Sequence, residues 1–191
     1  MRIAYILFDN ITLLDLIGAY DAIGRIKAQR PTLTWDLCAM SPTILDSHGM
    51  KIQMTAIQPD LSEYDVLFIP GGMGTRPLQF DLPFLNWLST AESVPLKTSV
   101  CTGSLLLGAA GFLQGKVATT HFREYETLKP YCKEVATNRI VVDGGVITAG
   151  AVASSLDLGL YLCEKWVGKS NAEAFREDMD YRGADPDIRV V

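Results

Sequence analysis

Histidine is almost missing from this sequence. Its 191 residues include two, His48 and His121, far apart and without a neighbour at ligand spacing, so the usual zinc and iron centres are excluded and no metal is expected. The four cysteines, Cys38, Cys101, Cys132 and Cys163, form no C-x-x-C pair. A chain of this size builds a core without disulfides, so free thiols are expected. A basic stripe is also lacking: the formal net charge is −5 and the two signs are interleaved, which argues against nucleic acid and against an anionic membrane surface as partners. No apolar run is long. The opening MRIAYILFDN holds six consecutive apolar residues, too few for a signal-peptide core or a spanning helix. With no linker, repeat or low-complexity tract, a single domain over residues 1–191 in the cytoplasm is expected.

What is present is an alternation. Short apolar runs, RIAYILF, TWDLCAM, YDVLFIP, KTSVC and RIVVDGGVITAG, are separated by stretches of helical period, a pattern that predicts an α/β fold with a mostly parallel sheet. Leu16, Ala19, Ile23 and Ile26 make one helical stripe; Leu156, Leu160, Cys163 and Val167 make another. The Gly-Gly turn in VVDGGV predicts a hairpin beside the main sheet, and SPTILDSHG reads as loop. The tail YRGADPDIRVV is polar and is expected to wrap the surface or a partner subunit.

Three places carry chemistry. Cys101 lies between a strand ending at Val100 and a helix opening near Thr102, a tight turn that puts the sulfur at the carboxyl edge of the sheet. A helix N-terminus favours the thiolate, so a nucleophile with a lowered pKa is expected there, whereas Cys38 and Cys163 sit in apolar patterns and read as core. In IPGGMGTRPL, Gly71 and Gly72 follow a strand and either make a plain turn or offer N–H groups to developing negative charge. The motif lacks the Lys-Ser/Thr of a phosphate loop. Asp15 is a carboxylate among leucines: either a helix cap or a buried acid with a raised pKa. Asp21 reads as a solvated charge.

The segments LFDNITLLDLIGAYDAI, VLFIPGGMGT, TSVCTGSLLLGAAGFLQGKVATTHF and ITAGAVASSLDLGLYL resemble the ThiJ/PfpI superfamily, and within it the isocyanide hydratase branch. The resemblance implies a flavodoxin-like three-layer sandwich with helices on both faces of the sheet. It implies Cys101 as nucleophile, Thr102 shaping its surroundings, Asp15 against the thiol, and the Gly71 and Gly72 amides facing the reacting group. It differs where Thr102 replaces the histidine, and Asp15 the glutamate, of the superfamily's proteases and glyoxalase-like members. Those activities lose their expected partners. Within the hydratase pattern, Ile17 and Ala19 stand in place of threonine and proline, and Ala151 where glycine is common; Ile17 is expected near the pocket, as a contact of the substrate.

The implied reaction adds water to a small electrophile, an isocyanide becoming an N-substituted formamide through a thioimidate on Cys101, with no metal or organic cofactor and a small molecule as the only ligand. A homodimer is implied as well. Two other readings remain open: a stress-response protein whose Cys101 is reversibly oxidised, and a ligand-sensing domain like those in front of AraC-type regulators. The latter carry a helix-turn-helix segment of about a hundred residues that does not follow here.

Overall fold

A computed structural model describes residues 1–183 and 185–191. The strands are β1 (Arg2–Ile6), β2 (Thr34–Ala39), β3 (Thr43–Leu45), β4 (Lys51–Gln53), β5 (Ala56–Ile57), β6 (Val66–Ile69), β7 (Leu96–Val100), β8 (Val117–Ala118), β9 (Glu134–Val135), β10 (Ile140–Asp143), β11 (Val146–Ala149) and β12 (Ile188–Val190). The helices are α1 (Leu13–Gly24), α2 (Thr75–Leu78), α3 (Leu82–Ser89), α4 (Gly103–Ala109), α5 (Tyr125–Leu128), α6 (Ser154–Val167) and α7 (Lys169–Asp178).

The main sheet runs β12-β10-β11-β7-β6-β1-β2-β5. All neighbours pair in parallel except β10 with β11. All four side chains of β6, Val66 to Ile69, are buried, as expected of a parallel strand covered on both faces. Each large aliphatic side chain so buried contributes roughly 1.5–3 kcal/mol. The chain goes from β1 to β2 on one side and then crosses to β6 on the other. Right-handed crossovers to opposite sides place their helices on opposite faces, giving the flavodoxin-like α/β sandwich and a switch point between the carboxyl ends of β1 and β6.

The first helical stripe behaves as its spacing predicts, with Leu16, Ala19, Ile23 and Ile26 buried; in the second, Leu160 and Cys163 are buried but Leu156 and Val167 are partly exposed, and α1 packs along α6. Ser155 Oγ donates to the Leu14 carbonyl at 3.0 Å and the Cys163 thiol to that of Ala22 at 3.3 Å. Three segments differ from expectation. The VVDGGV hairpin belongs to the main sheet, because β11 pairs with β7. The tail supplies an edge strand, Ile188 lying opposite Ile140. SPTILDSHG contributes β3, which pairs with β4; three-residue strands carry too little alternation to be read.

Candidate active site

The switch point is where the chemistry-bearing loops meet. The loop after β1 and the loop after β6 are tied together: Thr12 N–H donates to the Gly71 carbonyl at 2.9 Å, and Ile11 bridges Gly72. Next to them β7 ends at Val100 and Cys101 turns sharply, with φ 55°. A non-glycine residue there carries about 1–3 kcal/mol of strain, so the turn must be over-determined. Cys101 N–H donates to the carbonyls of Ala149 and Gly150 at 3.0 and 2.8 Å. Its own carbonyl accepts from Thr120 Oγ1 at 3.0 Å and Ser104 Oγ at 3.2 Å. The sulfur thus sits at the carboxyl edge of the sheet by virtue of the end of β11, the start of α4 and Thr120.

Asp15 is in the first turn of α1, which begins after Thr12. It does not cap its own helix. Its Oδ2 reaches across the switch point and accepts from Gly71 N–H at 2.9 Å, while Oδ1 has no aligned partner among the described residues. The carboxyl is fully buried, and burial raises its pKa to about 6 against the opposing pull of the Gly71 amide and the Cys101 thiol. Gly71 makes this approach possible: a Cβ there would lie 2.6 Å from Thr102 N, 2.8 Å from Asp15 Oδ2 and 2.8 Å from Cys101 Cβ. Carboxyl, thiol and elbow amide converge on the space that the missing side chain leaves open.

The thiol itself corrects an expectation. Burial pushes Cys101 up to about 12, and the Asp15 charge pushes the same way; the Thr102 amide and hydroxyl pull it down by less. A helix N-terminus does lower thiol pKa values, but desolvation and a carboxylate outweigh a short helix. Near neutral pH the pair therefore shares one proton, and burial and the Asp15 charge both disfavour the thiolate.

The glycine amides are a second correction. Gly71 N–H is engaged by Asp15 and Gly72 N–H by Thr102 Oγ1 at 3.0 Å, so both hold side chains of the site and neither is free for a substrate oxygen. Gly72, at φ 137°, has the backbone that turn requires. Ile17 is the third. Two residues beyond Asp15 on a helix is about 200° around the axis, and its side chain is 43% exposed; it faces away from the carboxyl. Ala19 is buried, on the helix-packing side. Ala151 lines an open cavity of about 280 Å³ with Gly150, Thr120 and Ser154 beside the elbow. Asp21 is exposed and pairs with Arg25 at 3.0 Å.

Sequence reasoning passed over Thr120, Arg76, His121 and Glu124. The last three form the rim next to Thr102: Arg76 Nη2 donates to Glu124 Oε1 at 2.6 Å, and burial, Arg123 and Arg76 lower the pKa of His121. For Thr120 and His121 the signal was the run TTHF, whose threonines are buried.

Residues 1–165 match the DJ-1/PfpI family. The chain belongs to that family. Among DJ-1/PfpI relatives, isonitrile hydratase of Pseudomonas putida is 35% identical over 97% of this chain and 81% of its own length. The transcriptional regulator CdhR of Pseudomonas aeruginosa is 28% identical over 77% of this chain, which spans 48% of that protein. Among solved structures, a ThiJ/PfpI family protein from Pseudomonas syringae superposes with a TM-score of 0.88 at 29% identity, over 97% of this chain and 76% of that one. No helix among the described residues is long and apolar enough to cross a membrane.

Proposed function

We propose that this protein is a cysteine-dependent hydratase that converts a small isocyanide to the N-substituted formamide. The observation that carries the reading is the buried Asp15 carboxyl, hydrogen-bonded to Gly71, without a cation among the described residues, and against a thiol at a strained elbow. The 35% identity to an isonitrile hydratase supports the substrate.

The pair holds one proton. As the sulfur attacks, that proton passes from Sγ to Asp15, and the sulfur lone pair forms the C–S bond to the isocyanide carbon. Asp15 then delivers the proton to that same carbon, leaving a thioimidate, S–CH=N–R, and an ionised carboxylate. Water adds next: its oxygen bonds to carbon as Asp15 takes one of its protons and passes it to nitrogen. The adduct S–CH(OH)–NH–R collapses by breaking the C–S bond, the hydroxyl proton returns to sulfur through Asp15, and the formamide leaves. A carboxyl with a pKa of about 6 suits this shuttle, because it gives and takes a proton near neutrality. Gly71 fixes Asp15, and Thr102 supplies its hydroxyl to the sulfur.

A buried thiol raised to about 12 is a poor peroxide sensor, since sensor cysteines are accessible and acidic. That favours turnover over reversible oxidation. Proton NMR of formamide formation from alkyl and aryl isocyanides tests the reading. Product whose formation Cys101→Ser abolishes supports it; no formamide from any of the panel sinks it. The assembly is proposed to be a two-fold dimer that covers Leu14 and Ile17, 51% and 43% exposed on α1. Light scattering at micromolar concentration should give a dimer that Ile17→Glu dissociates, and a wild-type monomer would rule it out.

A further inference from the structure

Arg76 is a charged residue on α2 with no part in the steps above, yet its guanidinium reaches into the hydrogen bonds that hold Thr102. Nη1 donates to the Gly72 carbonyl at 2.8 Å and lies 3.4 Å from both Thr102 Oγ1 and Thr75 Oγ1. Nη2 is clamped by Glu124 Oε1 at 2.6 Å, whose other oxygen accepts from Thr127 Oγ1 at 2.8 Å. The Gly72 carbonyl is therefore crowded. Besides Arg76 it accepts from the Thr75 hydroxyl at 2.9 Å and faces the Thr75 amide and the Thr102 hydroxyl, both at 3.2 Å.

A carbonyl oxygen has two lone pairs. Thr75 and Arg76 make the shorter bonds to them, so the Thr102 hydroxyl, at 3.2 Å, holds the Gly72 carbonyl only weakly. The Thr102 oxygen is meanwhile pinned from the other side by Gly72 N–H at 3.0 Å. The weak bond to the Gly72 carbonyl is the one its hydroxyl proton can give up to turn toward the Cys101 sulfur, on which Thr102 already acts. We propose that Arg76 is a positioning residue: by saturating the Gly72 carbonyl it releases the Thr102 hydroxyl to hydrogen-bond the Cys101 sulfur as negative charge develops there. The role rests on Cys101 being the nucleophile of the proposed reaction, but not on the identity of the electrophile.

The geometry around the group agrees. The charged and titratable side chains at this corner are Asp15 on α1, Arg76 on α2, and His121, Arg123 and Glu124 on the turn before α5. Thr102 is among the groups that draw the Cys101 thiol down. Partial burial works against the Glu124 carboxylate, but Thr127 and Arg76 hold it below its usual range, so the clamp stays charged at neutral pH. His121 is lowered and is neutral there. The Cys101 thiol is raised above the ordinary range, so alkylation at this corner climbs with pH as the small thiolate fraction of Cys101 grows.

The test is the pH dependence of Cys101 alkylation by iodoacetamide, read by peptide mass on the resting protein, so that it stands even if isocyanides prove not to be the substrate. Arg76→Met removes the donor while keeping the stem; alkylation at neutral pH should slow about tenfold and its profile should move up by about one pH unit. Arg76→Lys should restore most of the rate. In a Thr102→Val background Arg76→Met should have no further effect, because its route through Thr102 is gone. Glu124→Ala, which only loosens the clamp, should give a smaller shift of the same sign and serves if Arg76→Met folds poorly. An unmoved profile in both Arg76→Met and Glu124→Ala overturns the proposal. So does an Arg76→Met effect that persists in full beside Thr102→Val, since Arg76 would then act through space by its charge.

Discussion

Asp15 and Asp157 are both buried aspartates in the first turn of their helices, α1 and α6, and those helices pack together. Their surroundings are opposite. Asp157 accepts from Arg139 Nε at 2.5 Å on one oxygen and from Tyr181 Oη at 2.9 Å on the other. Among the described residues Asp15 has one backbone amide, no cation, and a second oxygen without an aligned partner. Desolvation penalises both, but only one is compensated by charge. A compensated carboxylate ties a helix to a strand and a tail; an uncompensated one keeps an exchangeable proton. The same residue in the same helical position is a structural pin in one place and a reagent in the other.

The sharpest way to break the contrast is through Gly71. Gly71→Ala puts a methyl group against the Thr102 amide, Asp15 Oδ2 and Cys101 Cβ, and backbone cannot yield as a flexible side chain can. Turnover should fall by a factor on the order of 10² or more, while circular dichroism stays that of the folded protein. Retained activity would mean that the three groups need not meet.

Asp157→Ala should do the reverse. It leaves Arg139 and Tyr181 without their acceptor, and stability should drop by about 3 kcal/mol, the low end for a broken buried pair because the Arg139 side chain is 38% exposed. Denaturant midpoints measure this. The folded fraction should keep its alkylation rate at Cys101, and a selective loss of that rate would give Asp157 a share in the site.

A smaller effect is the pH dependence that Asp15 imposes. Its folded pKa is raised from 3.8 to about 6, so folding favours the protonated form. The stabilisation is fully present below about pH 4 and is lost as pH rises through about 6, amounting to roughly 2–3 kcal/mol. Asp15→Asn should remove that slope and be the more stable protein relative to wild type above pH 6. Parallel stability curves from pH 4 to 7 would show that Asp15 titrates normally.

Much of this was legible in the residues. Strong apolar runs such as YDVLFIP and the turn at Val100-Cys101 are local signals, so the core strands and the elbow could be read. Asp15 could be singled out, though not assigned, because capping and burial look alike along one helix and differ only in what lies across the switch point. The thiol pKa was misread for a related reason: a helix N-terminus is visible in sequence, whereas burial and the facing carboxylate are tertiary. The glycine amides were read as free because their acceptors, Asp15 and Thr102, lie 56 and 30 residues away. Arg76 and Glu124, 48 residues apart, give no joint pattern at all.

The most direct measurement pairs two readouts on Asp15→Asn: formamide produced from an isocyanide, by NMR, and carboxamidomethylation of Cys101, by mass. If the carboxyl carries the proton to carbon and then guides water, turnover falls by a factor on the order of 10² or more while the cysteine remains alkylated. Undiminished formamide formation by the Asn variant would contradict the shared-proton mechanism and send the search for the acid elsewhere.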